Sequence, residues 1–92
     1  MVFFRDKDIA NFIGLHPSSI TNVKKKNQKM YALYRMGYEN SLSCPDDKRW
    51  ESVKNKDLAE HIGMTASGVS LMKRSNAKKY EILKRGFVVL ND

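Results

Sequence analysis

The sequence is poor in the groups that mark covalent or metal chemistry. It holds one cysteine, Cys44. One thiol closes no internal disulfide, and with no second Cys or His at ligand spacing it makes no zinc site. Such a residue reads as a small, semi-buried side chain. The histidines, His16 and His61, fall outside any ligand grouping and read as structural or surface residues. The chain has no Ser/His/Asp grouping, no metal cluster and no phosphate-cradling glycine loop, so it is expected to be no enzyme and to take no cofactor. Long apolar runs are missing too. Nothing approaches the roughly 20 residues of a membrane span, and the opening Val2-Phe3-Phe4 is too short for a secretory signal. The expected setting is the cytoplasm, in association with the nucleoid and not with a membrane. Acidic residues are also scarce: 10 against 17 basic residues, a net charge of +7 over 92 residues. That imbalance favours a polyanionic partner, although a soluble basic surface has the same composition.

What the chain does have is an internal repeat. A shift of 49 residues lays residues 6–38 on residues 55–87 without a gap, and 11 of the 33 pairs are identical. Among them are Ala10/Ala59, Gly14/Gly63, Asn27/Asn76, Tyr31/Tyr80 and Gly37/Gly86. Ile9/Leu58, Ile20/Val69 and Val23/Met72 are conservative pairs. One supersecondary unit has been used twice. A unit this short falls below the roughly 40 residues that fold alone, so the two are expected to share a core as one compact domain, 1–92. The linker, 39–54, contains Cys44-Pro45-Asp46-Asp47 and predicts a short helix over about residues 45–52. Trp50 is expected to plug the seam between the units.

Each unit reads as three helices. The first is predicted to start on Asp6 or Asn55 as N-cap and to stop at Gly14 or Gly63, where a left-handed backbone is needed. The second starts at Pro17, or behind Thr65, and ends at Asn27 or Asn76 in a left-handed conformation. The third covers Lys29–Met36 or Lys78–Arg85 and is expected to stop at Gly37 or Gly86. Ile9, Ala10, Ile13, Leu15, Ile20 and Val23 fall on the inward faces, as do Leu58, Ala59, Ile62, Met64, Val69 and Met72. Tyr31, Tyr34 and Tyr80 are expected in the core and seam rather than as stacking platforms. The apolar ends, Val2-Phe3-Phe4 and Phe87-Val88-Val89-Leu90, are expected either to pair as a short β-ribbon or to bury against a partner.

The spacing is the specific signal. Alanine is followed four residues later by glycine and six after that by a β-branched residue: Ala10, Gly14, Ile20 and Ala59, Gly63, Val69. Alanine suits the closest crossing of two helices, glycine the tight turn, and the β-branched residue anchors the second helix to the first. This pattern resembles the helix-turn-helix of lambda- and Cro-type phage repressors, present here twice. Two such motifs in one chain look more like AraC-type regulators, without further match to them.

The resemblance implies an all-α fold in which the second helix of each unit enters the major groove of double-stranded DNA. The outward residues expected to read bases are His16, Ser18, Ser19, Thr21, Asn22 and Lys25, then Thr65, Ser67, Ser70, Leu71 and Arg74. Asn22 suits adenine and Arg74 suits guanine, each in two-point fashion. Lys24, Lys26, Lys29, Lys73, Lys78 and Lys79 are expected at phosphates. Each unit sums to +4, and the rest of the chain to −1. Two half-sites about 34 Å apart would suit a covalent pseudo-dimer. Gly68 and Leu71 break the equivalence of the units. Gly68 either lets a backbone approach or is neutral. Leu71 either meets a thymine methyl or belongs to a protein interface, shared with the apolar termini or a second copy. The expected function is sequence-specific transcriptional regulation, as a prokaryotic or phage repressor. The alternative is a small inhibitor or adaptor that binds protein on the same scaffold.

Overall fold

The computed structural model describes residues 4–91, and these are all-helical apart from turns. The order is α1 (Asp6–Ile13), α2 (Pro17–Lys26), α3 (Gln28–Ser43), a 3-10 turn (Arg49–Ser52), α4 (Asn55–Ile62), α5 (Ala66–Ser75) and α6 (Ala77–Leu90). Helices α1–α3 and α4–α6 occupy equivalent stretches of the repeat. Gly14 and Gly63 end α1 and α4 at φ +73° and +74°, the left-handed conformation the repeat predicts. The turns close with N–H groups of Leu15 and Met64 donating to the carbonyls of Ala10 and Ala59 at 2.8 and 2.9 Å.

The helix starts differ from expectation in one respect. Arg5 and Lys54, not Asp6 and Asn55, are the N-cap residues of α1 and α4. Asp6 and Asn55 lie one position inside, where each accepts a hydrogen bond from a third-helix tyrosine: Tyr31 to Asp6 at 2.8 Å and Tyr80 to Asn55 at 2.7 Å. The short polar residue is there to tie the first helix to the third. Pro17 does open α2, behind the His16 cap, and Thr65 caps α5.

A single apolar cluster draws on both units. Ile9, Ile20, Leu33 and Tyr34 are fully buried with Leu58, Val69, Ile82 and Leu83, and Leu15, Val23 and Met64 pack half-buried against them. The expected stops at Gly37 and Gly86 do not occur, because α3 and α6 run straight through both. These glycines serve close approach instead. A Cβ on Gly37 would fall on the Ile82 carbonyl, and one on Gly86 would fall on the Leu33 carbonyl. The backbones of α3 and α6 therefore touch at the centre of the molecule. With α6 extending to Leu90, the apolar C-terminal run is helical and no β-ribbon forms among the described residues. Val2 and Phe3 lie outside them. Phe4 packs edge-on to Tyr38 at 5.0 Å.

The linker is irregular where a helix over residues 45–52 was expected; only Arg49–Ser52 winds, as a 3-10 turn. Asp47 holds the segment closed. It accepts from Asn40 and, in a two-point pair, from Arg49, whose guanidinium keeps the carboxyl well below the usual carboxylate range. Cys44 is exposed rather than semi-buried. Trp50 packs on the second unit beside α6, with the Arg85 guanidinium 6.0 Å from its ring, rather than plugging the seam.

Candidate nucleic-acid interface

The arrangement of α2 and α5 follows from two hydrogen bonds. Asn27, between α2 and α3, donates its side-chain N–H to the Ile62 carbonyl at the end of α4. Asn76, between α5 and α6, donates in the same way to the Ile13 carbonyl at the end of α1. The end of α2 thus lies by the turn that starts α5, and the end of α5 lies by the turn that starts α2. The two helices therefore run antiparallel. With the reciprocal Gly37–Ile82 and Gly86–Leu33 approaches, these contacts relate the units by an approximate twofold axis through the α3–α6 crossing.

Both asparagines also cap the helix that follows. Their side-chain oxygens accept from the N–H of Met30 at 3.1 Å and of Lys79 at 3.2 Å. Their backbones sit at φ −146° and −154°, so neither adopts the left-handed conformation expected of a terminator. Asn is needed at these positions for a side chain that accepts with one end and donates with the other.

The inward edge of α2 is Ile20, and that of α5 is Val69 with Met72. This fixes what faces out. Thr21, Asn22 and Lys25 are exposed on α2, as are Ser67, Ser70, Leu71 and Arg74 on α5. Ser19 is half-buried, which makes it a poor base reader. Several others are exposed but already engaged. His16 Nδ1 accepts from the Ser18 N–H and lies 2.8 Å from the Ser18 hydroxyl. Thr65 Oγ1 accepts from the Gly68 N–H at 3.0 Å, and the Ser70 hydroxyl accepts from Asn55 at 3.1 Å. Thr21 donates only a long bond, 3.4 Å, to the Pro17 carbonyl. Asn22, Lys25, Ser67, Leu71 and Arg74 have no side-chain hydrogen bond or ion pair among the described residues. Within the chain no backbone approaches Gly68: a Cβ there would meet only the Met64 and Thr65 side chains.

The positive charge is unevenly available. Lys24, Lys26 and Lys29 are exposed at the end of α2 and the start of α3. Lys73 and Lys78 are their exposed counterparts in the second unit, with Lys78 Nζ 5.2 Å from the Phe12 ring. Lys79 departs from expectation. It occupies the repeat position of the buried Met30 and is half-buried itself, so desolvation lowers its pKa and it is a poor phosphate contact. Lys84 and Arg85 are buried, at 5% and 4% exposure, and their charge is spent inside the fold. Lys84 donates to the Val53 carbonyl at 2.7 Å; its counterpart Arg35 pairs with Asp6 at 2.9 Å and stacks on Phe4. Arg85 binds Glu81, Asn40 and the carbonyls of Cys44 and Pro45, pinning the linker to α6. The sequence sum counts these residues as surface charge, and only their burial separates them from it.

Because α2 and α5 are antiparallel, their basic ends point opposite ways. Lys24, Lys25, Lys26 and Lys29 gather at one end of the pair, and Lys73, Arg74 and Lys78 at the other. Cations at helix C-termini also gain from the helix dipole, which accounts for part of this placement. The chain spans 30 × 28 × 22 Å. Helix axes inset within that envelope lie too close for half-sites the expected 34 Å or so apart, one full turn of DNA. No helix among the described residues is long and apolar enough to cross a membrane, and no group of three or more His, Cys, Asp or Glu forms a metal site there. No protein-family model, curated protein or solved structure matches the chain.

Proposed function

We propose that the protein binds double-stranded DNA in a sequence-specific manner and regulates transcription, acting as a repressor of prokaryotic or phage type that occludes a promoter. The observation behind this reading is the exposed face of α2. Asn22 and Lys25 project from it with no side-chain partner among the described residues, and Lys24, Lys26 and Lys29 surround its end. A short helix with a free amide on its outer face and cations at its end has the parts that base reading and phosphate clamping need. Helix α5 supports the reading through Ser67 and Arg74. The test is a mobility shift with fragments of the host genome at low salt, in excess non-specific DNA. The expected result is retention of a few fragments that share a sequence. No shift, or a shift indifferent to sequence, contradicts it.

One observation favours a second reading. Leu71 is 64% exposed on α5, in a shallow depression lined also by Ala66, Ser67, Ser70 and Arg74. An apolar side chain at the position of Asn22 suits a protein partner as well as a thymine methyl. Under that reading the chain is an inhibitor or adaptor, and a stoichiometric protein is pulled down from lysate in the presence of nuclease.

A further inference from the structure

The symmetry of the chain constrains the DNA it would read. We infer that the preferred site is one short, imperfect inverted repeat whose two arms have centres less than one helical turn apart. This rests on the DNA-binding reading above and adds the orientation, spacing and inequality of the arms.

Orientation comes from the reciprocal contacts. Asn27 reaches Ile62 as Asn76 reaches Ile13, and Gly37 meets Ile82 as Gly86 meets Leu33. Two units related by translation would not exchange contacts in both directions; only a twofold axis does this. Reading helices related by a twofold axis present equivalent positions to opposite strands, so the arms are inverted. A direct repeat would need the units in line.

Spacing comes from size and rigidity. The longest extent of the chain is 30 Å, and at about 3.4 Å per base-pair step this is under about nine base pairs. The units cannot spread to widen it. Their backbones touch at Gly37 and Gly86, both cross-unit asparagine bonds tie the ends of α2 and α5, and the core is continuous through both units. The basic clusters at the two ends of the antiparallel pair then fall on phosphates flanking one short stretch.

Inequality comes from the side chains. At the matched outward positions the first unit offers Asn22 and Lys25, and the second Leu71 and Arg74. The first arm gains an adenine contact from Asn22; the second gains a guanine contact from Arg74 and an apolar contact from Leu71.

The experiment is selection from random-sequence DNA with the full chain, repeated with Asn22→Ala and Arg74→Ala. Inverted arms with centres fewer than nine base pairs apart are expected. Each variant should lose preference, roughly ten- to a hundredfold, at one base pair of one arm only. A direct repeat, a spacing of a full turn or more, or a single isolated arm overturns the inference while leaving DNA binding intact. Failure to enrich any sequence overturns the DNA-binding reading itself. Both variants lie on exposed positions, so circular dichroism should match the parent chain.

Discussion

Asn27 and Asn76 make one contact in opposite directions: each donates to the last carbonyl of the other unit's first helix, at 2.8 and 2.7 Å, and caps its own third helix. Replacing either with alanine removes a cap and leaves a part-buried carbonyl unpaired. The expected loss is about 1–3 kcal/mol in urea unfolding. Asn27→Asp separates the two roles. It keeps the cap but sets a carboxylate against the Ile62 carbonyl, and it should be at least as destabilising as Asn27→Ala. A neutral Asn27→Asp would show that the cross-unit bond contributes nothing.

The helix-crossing glycines give the largest expected effect. Gly37→Ala or Gly86→Ala drives a methyl into the backbone of the facing helix, and backbone cannot step aside as a side chain can. Destabilisation of about 3 kcal/mol or more is expected, a large share of the roughly 5–15 kcal/mol that holds a typical domain folded. Gly68→Ala is the control. Its Cβ would lie 3.2 and 3.3 Å from Met64 Cε and Thr65 Oγ1, and it regains up to about 1 kcal/mol of helix propensity. Its thermal midpoint should stay within a few degrees of the parent.

These glycines also show how far the sequence could be read. Glycine behind a helical stripe has two physical uses, a left-handed stop or a close crossing, and periodicity does not separate them. At Gly14 and Gly63 the stop was legible because a turn and a new cap follow. At Gly37 and Gly86 the deciding partners, Ile82 and Leu33, lie 45 and 53 residues away in the chain. The same limit hid the buried roles of Lys84 and Arg85, whose acceptors are main-chain carbonyls of distant segments. The outward face of α2 was legible, since Ile20 and Val23 fix it locally. Thr65 was legible as the cap of α5; that Ser18 and Ser70 have partners was not, because those bonds depend on a histidine cap and on a side chain from another helix.

Lys79 replaces the buried methionine of the first unit, and burial disfavours its charge. Its folded pKa lies below the unfolded value, so the unfolded state holds the proton more tightly. The penalty is fully present at neutral pH and is relieved as pH rises through the lowered pKa toward 10.5. Lys79→Met should raise stability at pH 7 by about 1 kcal/mol and abolish that alkaline gain. DNA affinity should change little. A large loss of affinity would return Lys79 to the phosphate contacts.

Tyr34 titrates with the opposite sign. It is fully buried, its hydroxyl has no partner among the described residues, and burial raises its pKa well above the ordinary 10.0. Tyr31 is raised as well, chiefly by burial and then by its bond to Asp6. Below pH 10 neither group's ionisation affects stability; as pH climbs from the ordinary 10.0 toward the raised folded values, the unfolded state ionises first and stability falls. Tyr34→Phe should weaken this alkaline loss. At neutral pH it should be neutral or stabilising by about 1 kcal/mol, because it removes a polar atom that is buried unpaired.

If α2 reads DNA while the cations around it clamp phosphate, the two roles separate in one comparison. Binding of the parent chain, Asn22→Ala and Lys25→Ala to a retained DNA fragment and to a scrambled one is measured by fluorescence anisotropy across a series of salt concentrations. Asn22→Ala should narrow the gap between the two DNAs by about 1–3 kcal/mol with the salt slope unchanged. Lys25→Ala should weaken both DNAs alike and reduce the slope by about one. Equal behaviour of all three proteins on both DNAs would contradict both roles.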